Sequence, residues 1–393
     1  VAARLDLAVL GADARRVIAA RALRGFADGL ASLLLAGHLP RLGLGAFAIG
    51  AIVTGTLLGS AALTLALGLV SARLRRRGLL LALCALMAAT GLGFAGLTSF
   101  WPLLLVAVVG TLNPSAGDVT PFLPTEQAAL AEVVAPERRT TVFAWYNLGG
   151  SAAGALGALA AGFFDGEARV GFLIYAGLGL AAAPLYATLS PAIEHPAVAP
   201  GPPLVRSRRT VLELAALFSL DSFGGGLVVQ SLLALWLFRR FDLSMETTAS
   251  VFFATGLLAG ASQLASAWLA ARIGHVRTMV FTHLPANLFL LLAGLAPTAP
   301  IAIGLLLLRM CLSQMDVPAR QAYVMAVVPP EERAAASSVT NVPRSLASAL
   351  SPLLAGALLA RTSFGWPLIA AGALKGLYDV LLFWRFQGRR ASG

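Results

Sequence analysis

The sequence has 393 residues, of which 58% are hydrophobic and only 12% charged, and its mean hydropathy is +0.82. A soluble domain carries about 25% charged residues, so a soluble chain of this length is excluded, and recurring apolar windows of about 20 residues read as spanning helices rather than barrel strands. The net charge of +11 does not point to nucleic acid, because Lys375 is the only lysine and most arginines stand in short runs between apolar segments, a pattern that reports topology.

The polar N-terminal stretch VAARLDLAVLGADARR lacks the apolar core and cleavage site of a secretory signal, so the first apolar segment reads as an uncleaved span. Twelve spans follow, at about 17–38, 44–69, 78–98, 101–128, 141–163, 168–189, 211–238, 248–270, 277–297, 300–327, 335–360 and 364–386. Spans 4 and 10 carry several polar residues. With the N-terminus in the cytoplasm, 18 of the 29 basic residues fall on the cytoplasmic side and 5 on the other, so both termini are expected in the cytoplasm. Residues 190–209, SPAIEHPAVAPGPPLVRSRR, form the one long polar connection and read as a cytoplasmic linker between halves 1–189 and 210–393.

The halves repeat each other. QAALAEVVAPERR at 127–139 matches QAYVMAVVPPEER at 321–333 at an offset of 194, which also pairs Asn147 with Asn341 and Ser151 with Ser345. SARLRRRG at 71–78 echoes AARIGHVR at 270–277, with Arg73 matching Arg272. The expected fold class is an all-α membrane protein of twelve helices in two six-helix bundles related by a pseudo-two-fold axis along the membrane normal.

Two six-span halves and the loop Gly68-Leu-Val-Ser-Ala72-Arg73-Leu-Arg75-Arg76-Arg77 resemble the major facilitator superfamily, whose loop between spans 2 and 3 reads G-x-x-x-D-R-x-G-R-R. The first Gly, the Arg and the basic pair are kept, whereas Ala72 replaces the Asp and Arg75 the second Gly. The second copy, around Arg272 and Gly274, keeps Arg-x-Gly and again has Ala for Asp. The resemblance covers essentially the whole chain. It implies a secondary transporter that works by alternating access, with spans 1, 4, 7 and 10 lining a central cavity. The Asp that locks the cytoplasmic side in that family has no counterpart here, so Arg73, Arg76 and Arg77 are topology anchors or a latch of another kind. The Gly-Pro pair of the antiporter signature is also missing from GGSAAGALGALAAG at 149–162, which reads as a close-packing stripe.

An ionisable group within a span costs roughly 2.5–3.5 kcal/mol on insertion scales and is expected to meet a partner or a cavity. Most of these groups lie on spans 1, 4, 7 and 10. RGFADGL at 24–30 matches DSFGGGL at 221–227, so Arg24 corresponds to Asp221, and Glu126 corresponds to Arg320. Two readings stand: Arg24–Asp221 and Glu126–Arg320 close the path between the halves, or Arg24–Asp28, Arg320–Asp316 and Lys375–Asp379 pair locally at i,i+4. The Ser-x-x-Asp-Val repeat makes Asp118 and Asp316 candidate proton carriers, with Asp28 and Asp221 as rivals, because low-dielectric surroundings favour the neutral acid. Arg309 and Arg344 are candidates for binding an anionic group. Tyr146, Asn147, Asn341 and Gln230 complete the candidate cavity.

GLGFAG at 91–96 lies in an apolar span and reads as helix packing, not as a dinucleotide loop. Cys84, Cys311 and the four histidines show no metal or triad spacing, so no cofactor, metal or enzymatic chemistry is expected. The expected partners are a small-molecule substrate, protons and the lipid bilayer, for a monomer in the cytoplasmic membrane. Efflux of a small amphipathic or anionic solute in exchange for protons is the first reading, with symport and facilitated diffusion as rivals.

Overall fold

The computed structural model describes residues 10–70, 74–114, 120–135, 138–194, 205–329 and 332–387. These residues contain no strand. The helices are α1 (Ala12–Arg41), α2 (Ala46–Val70), α3 (Arg76–Gly96), α4 (Phe100–Val109), α5 (Phe122–Val133), α6 (Arg139–Ala160), α7 (Ala168–Ala187), α8 (Arg208–Gly226), α9 (Gln230–Phe241), α10 (Met245–Ile273), α11 (His275–Leu295), α12 (Ala299–Ser313), α13 (Asp316–Val327), α14 (Arg333–Arg361) and α15 (Trp366–Phe386). Helix occurs at each of the twelve predicted span positions, and nine helical stretches among the described residues are long and apolar enough to cross a membrane.

Three spans are discontinuous. Span 4 breaks between α4 and α5, where Gly110, Pro114 and Pro121 interrupt it. Span 7 breaks between α8 and α9, after Gly224-Gly225-Gly226. Span 10 breaks between α12 and α13 at Gln314 and Met315. Each break frees backbone groups that lipid cannot satisfy, so irregular backbone at this depth has to be covered by protein or line a cavity. α1 runs unbroken through its charges.

The chain divides into two compact units. The first comprises Val1–Leu44, Gly55–Ala197 and Met245–Phe253, and the second Gly45–Thr54, Val198–Ser244 and Ala254–Gly393. The first residues of α2 therefore group with the second unit, and those of α10 with the first.

Within the first unit α1 lies against α6 through glycines. A Cβ on Gly29 would stand 1.9 Å from the Gly154 carbonyl oxygen, and one on Gly157 would stand 1.9 Å from that of Phe26. The stripe at 149–162 thus lets two backbones touch, which is how helices associate where lipid offers no hydrophobic drive. Within the second unit α8 approaches α14 the same way, with Gly226 against Ser348 and Ser351. α3 with α7, and α11 with α15, form the second close pair of each unit. Trp101, Phe163 and Trp384 are among many large apolar side chains left exposed, as lipid-facing surfaces require.

At the polar ends, the Glu194 carboxylate accepts from the backbone N–H groups of Arg76 (2.7 Å) and Arg77 (3.1 Å), capping α3. Arg76 also donates to the Ile193 carbonyl at 2.6 Å and Arg77 to that of Leu189. Gly274 joins α10 to α11 with φ +86, a conformation that favours glycine. In the first half Arg75 occupies that place at φ −68 in extended backbone, so the missing glycine of the loop motif is not needed there.

A candidate functional site in each unit

α1 places Arg21, Arg24, Asp28 and Ser32 at i, i+3, i+7 and i+11, on one buried face. Arg24 is 2% exposed and Glu126 of α5 is fully buried, and the two form an ion pair. Tyr146 of α6 donates to Glu126 Oε2 at 2.6 Å, and the Tyr186 hydroxyl of α7 donates to Oε1. Arg24 Nε also donates to the Tyr186 oxygen at 3.1 Å, and its guanidinium lies 4.0 Å from the centroid of the Phe122 ring. Every charged atom of this pair is matched, as a charge-assisted network out of water requires.

Asp28, one turn further along α1, is different. It is 5% exposed and takes no hydrogen bond or ion pair among the described residues. Arg21 is likewise buried without a carboxylate partner. Its guanidinium lies 5.6 Å from the Tyr146 ring centroid, and its Nε is unpaired.

The second unit repeats the arrangement with the signs exchanged. Asp221 of α8 pairs with Arg320 of α13 at 3.1 Å. Asp221 and Arg320 are the counterparts of Arg24 and Glu126, so the same two positions carry the same bridge with its polarity reversed. Further groups join it. Lys375 Nζ of α15 donates to Asp221 Oδ1 at 2.5 Å, and Asp316 pairs with Arg320 at 3.4 Å. His283 of α11 sets Nδ1 2.9 Å from Asp379 Oδ1 and Nε2 3.7 Å from Asp221 Oδ1. Asn287 donates to Asp379 Oδ2 at 2.8 Å.

This geometry corrects the expected pairs. The charges matched between halves, Arg24 with Asp221 and Glu126 with Arg320, each take their partner inside their own half. Of the local i,i+4 pairs only Arg320–Asp316 forms. Arg24 goes to Glu126 instead of Asp28, and Lys375 goes to Asp221 while Asp379 goes to His283. In the first half α1 lies beside α5, the second segment of the broken span, and in the second the side chains of Asp221 and Arg320 reach each other from α8 and α13.

The other candidates are dispersed. Tyr146 is buried in the first cluster, whereas Asn147 and Asn341 are exposed, the latter donating to Ser337 Oγ at 3.2 Å. Gln230 is half-buried at the start of α9. Arg344 Nε donates to Ser222 Oγ at 2.9 Å. Arg309 is half-buried, has no carboxylate at ion-pair distance among the described residues, and donates to Met310 Sδ at 3.3 Å. Arg272 lies 4.1 Å from the centroid of the Trp268 ring. Gly68 lies in the last turn of α2, and Arg73 and Asp118 fall outside the described residues. Sequence reasoning missed His283 and Asn287, and the one available signal was their i,i+4 spacing within an apolar span.

The family model of the Major Facilitator Superfamily matches residues 17–313 and 214–392. The chain belongs to the Major Facilitator Superfamily. The superfamily match spans nearly the whole sequence and accounts for the sequence repeat between its halves. An uncharacterized membrane protein of Saccharomyces cerevisiae is 26% identical over 413 residues, covering 93% of this chain and 92% of that protein. The fold is shared with superfamily structures at lower identity. A bacterial homologue of the human lysosomal transporter Spinster, inward-facing and unoccupied, aligns with a TM-score of 0.75 at 13% identity, over 97% of this chain and 98% of that one. The nucleoside transporter NupG aligns at 0.74 and 15% identity, over 96% and 100%. The human organic anion transporter TETRAN aligns at 0.65 and 20%, over 94% and 99%.

Proposed function

We infer that the chain is a secondary transporter that moves a small organic solute across the cytoplasmic membrane by alternating access, exporting it in exchange for protons. The observation that carries this reading is Asp28, a buried carboxylate in a spanning helix with no hydrogen bond or ion pair among the described residues, one turn from an arginine whose own ion pair is with Glu126. Such a group stays neutral by holding a proton or becomes ionised by meeting a cation or a ligand, and switching between these is what coupling requires. In this reading halves 1–189 and 210–393 act as a monomer joined by a cytoplasmic linker at 190–209, with both termini cytoplasmic. Substrate and proton shift the equilibrium only by binding one state better than the other.

Arg309 favours a second reading of the solute and of the direction. A half-buried guanidinium with no carboxylate at ion-pair distance among the described residues suits a carboxylate or phosphate group, which fits proton-linked uptake or uniport of a small organic anion. The test is a panel of labelled solutes in proteoliposomes under imposed pH gradients. The expected result is accumulation that follows the sign of the gradient, with Asp28→Asn losing the gradient response while keeping solute exchange at equal pH. A flux indifferent to the gradient in the unaltered protein refutes proton coupling.

A further inference from the structure

We propose that the second half holds a proton-binding site at His283, where an imidazolium is clamped between Asp379 and Asp221. Both ring nitrogens face carboxylates, Nδ1 at 2.9 Å and 3.1 Å from the two Asp379 oxygens and Nε2 at 3.7 Å, an ion-pair distance, from Asp221 Oδ1, while the Asn287 amide nitrogen, 3.0 Å from Nδ1, donates to the same Asp379 carboxylate. A neutral imidazole has one donor and one acceptor nitrogen. Whichever tautomer it adopts, one lone pair then points at a carboxylate. Only the imidazolium presents N–H to both.

The charges around the ring lead to the same assignment. Asp221 of α8, Asp316 of α13 and Asp379 of α15 contribute three buried carboxylates. Arg320 of α13 and Lys375 of α15 contribute two cations, which pair with Asp221 and Asp316 and not with Asp379. Arg309 of α12 forms no ion pair among the described residues and acts only at longer range, on Asp221 and Asp316 rather than on Asp379. Tyr378 of α15 turns its ring edge to His283 with centroids 6.0 Å apart and supplies no charge. Among the described residues Asp379, fully buried, has only the Asn287 amide and His283 as polar partners. An uncompensated buried carboxylate is among the costliest groups a protein holds. One proton on His283 supplies Asp379 with the cation that Arg320 and Lys375, directed at Asp221 and Asp316, do not.

The site lies between α11 and α15 and communicates with α8 through Asp221, one turn before the break at Gly226. Loss of the proton leaves Asp379 bare and withdraws one of the three cations facing Asp221. That the proton is exchanged during transport rests on the proton-coupled reading above. That His283 binds it does not.

The experiment is long-range ¹H–¹⁵N correlation NMR of the imidazole rings of the full chain in detergent micelles. His283 is assigned by the signal lost in His283→Gln. If that variant does not fold, it is assigned by elimination, replacing His38, His195 and His275. The expected result at pH 7 is an imidazolium pattern with both nitrogens protonated, and loss of one N–H in Asp379→Asn as the ring becomes neutral. A singly protonated His283 at pH 5.5 in the unaltered protein overturns the proposal, as does an imidazolium that Asp379→Asn leaves unchanged. A protonated His283 alongside gradient-independent flux would refute the coupling reading and leave this site standing. A neutral His283 alongside gradient-driven flux would do the reverse.

Discussion

Removing one partner of the Arg24–Glu126 bridge should destabilise the protein more than removing both. In Glu126→Gln, Arg24 keeps only neutral acceptors, the Tyr186 oxygen and Thr120 Oγ1 at 3.4 Å, together with the Phe122 face. In Arg24→Met, Glu126 keeps two tyrosine hydroxyls and no cation. Each single change strands a buried charge and should cost about 3–5 kcal/mol. Asp28, the nearest remaining carboxylate on α1, holds the first change towards the lower end of that range. The double variant Arg24→Met/Glu126→Gln strands no charge. Its amide oxygen accepts from one tyrosine, and the other hydroxyl loses its acceptor for about 1–3 kcal/mol. Equilibrium unfolding in mixed detergent–SDS micelles measures all three variants. A double variant that costs the sum of the two singles would refute the account, because the charges would then act independently.

Gly29→Ala and Gly157→Ala each drive a methyl group into a backbone oxygen of the opposite helix and should lower the unfolding midpoint through at least about 1–3 kcal/mol of overpacking. Gly177→Ala in α7, where a Cβ meets nothing, should be neutral or stabilising by about 0.5–1 kcal/mol in the same assay. At the start of α8, Glu332 accepts from the Ser207 hydroxyl and from the backbone N–H groups of Arg206, Val205 and Ser207, which holds its carboxyl down at about 2. Its stabilising effect is complete above the ordinary glutamate range near ~4.3 and is lost as pH falls through about 2. Hydrogen exchange at 205–207 should therefore lose protection between pH 4.5 and 2, and Glu332→Gln should abolish that dependence. For topology, a single cysteine at exposed Arg208, in a variant without Cys84 and Cys311, should react with a membrane-permeant thiol reagent in intact cells and resist an impermeant one. Reaction with the impermeant reagent would place the linker outside the cytoplasm.

The spans were legible because each must remove about 20 residues from water and leaves an apolar window of that length. The breaks in spans 4 and 10 left a trace as polar residues. The break in span 7 hides in Gly224-Gly225-Gly226, because glycine runs also occur in unbroken packing faces. The repeat correctly equated Arg24 with Asp221 and Glu126 with Arg320, but equivalence within a duplicated sequence does not say which helices touch. Contact is decided by the glycine faces of α1 and α6 and of α8 and α14, which fix the neighbours of each half. The i,i+4 spacing of His283 and Asn287 did not reveal the carboxylates of His283, which stand on other helices, 62 residues upstream and 96 downstream. Asn147 and Asn341 share an environment as the repeat implies, and that environment is an exposed one.

The reversed polarity of the two bridges has a consequence for assembly in the bilayer. Duplicated halves with identical pairing chemistry would let the first helix of one half settle against the fourth span of the other as easily as against its own. Here that error sets Arg24 against Arg320, or Asp221 against Glu126, and places like charges together where water cannot screen them. Each half thus carries an address that the other cannot read. A chimera exchanging α1 with α8 alone would inherit both clashes, whereas one exchanging α1 and α5 together for α8 and α13 would keep each bridge intact.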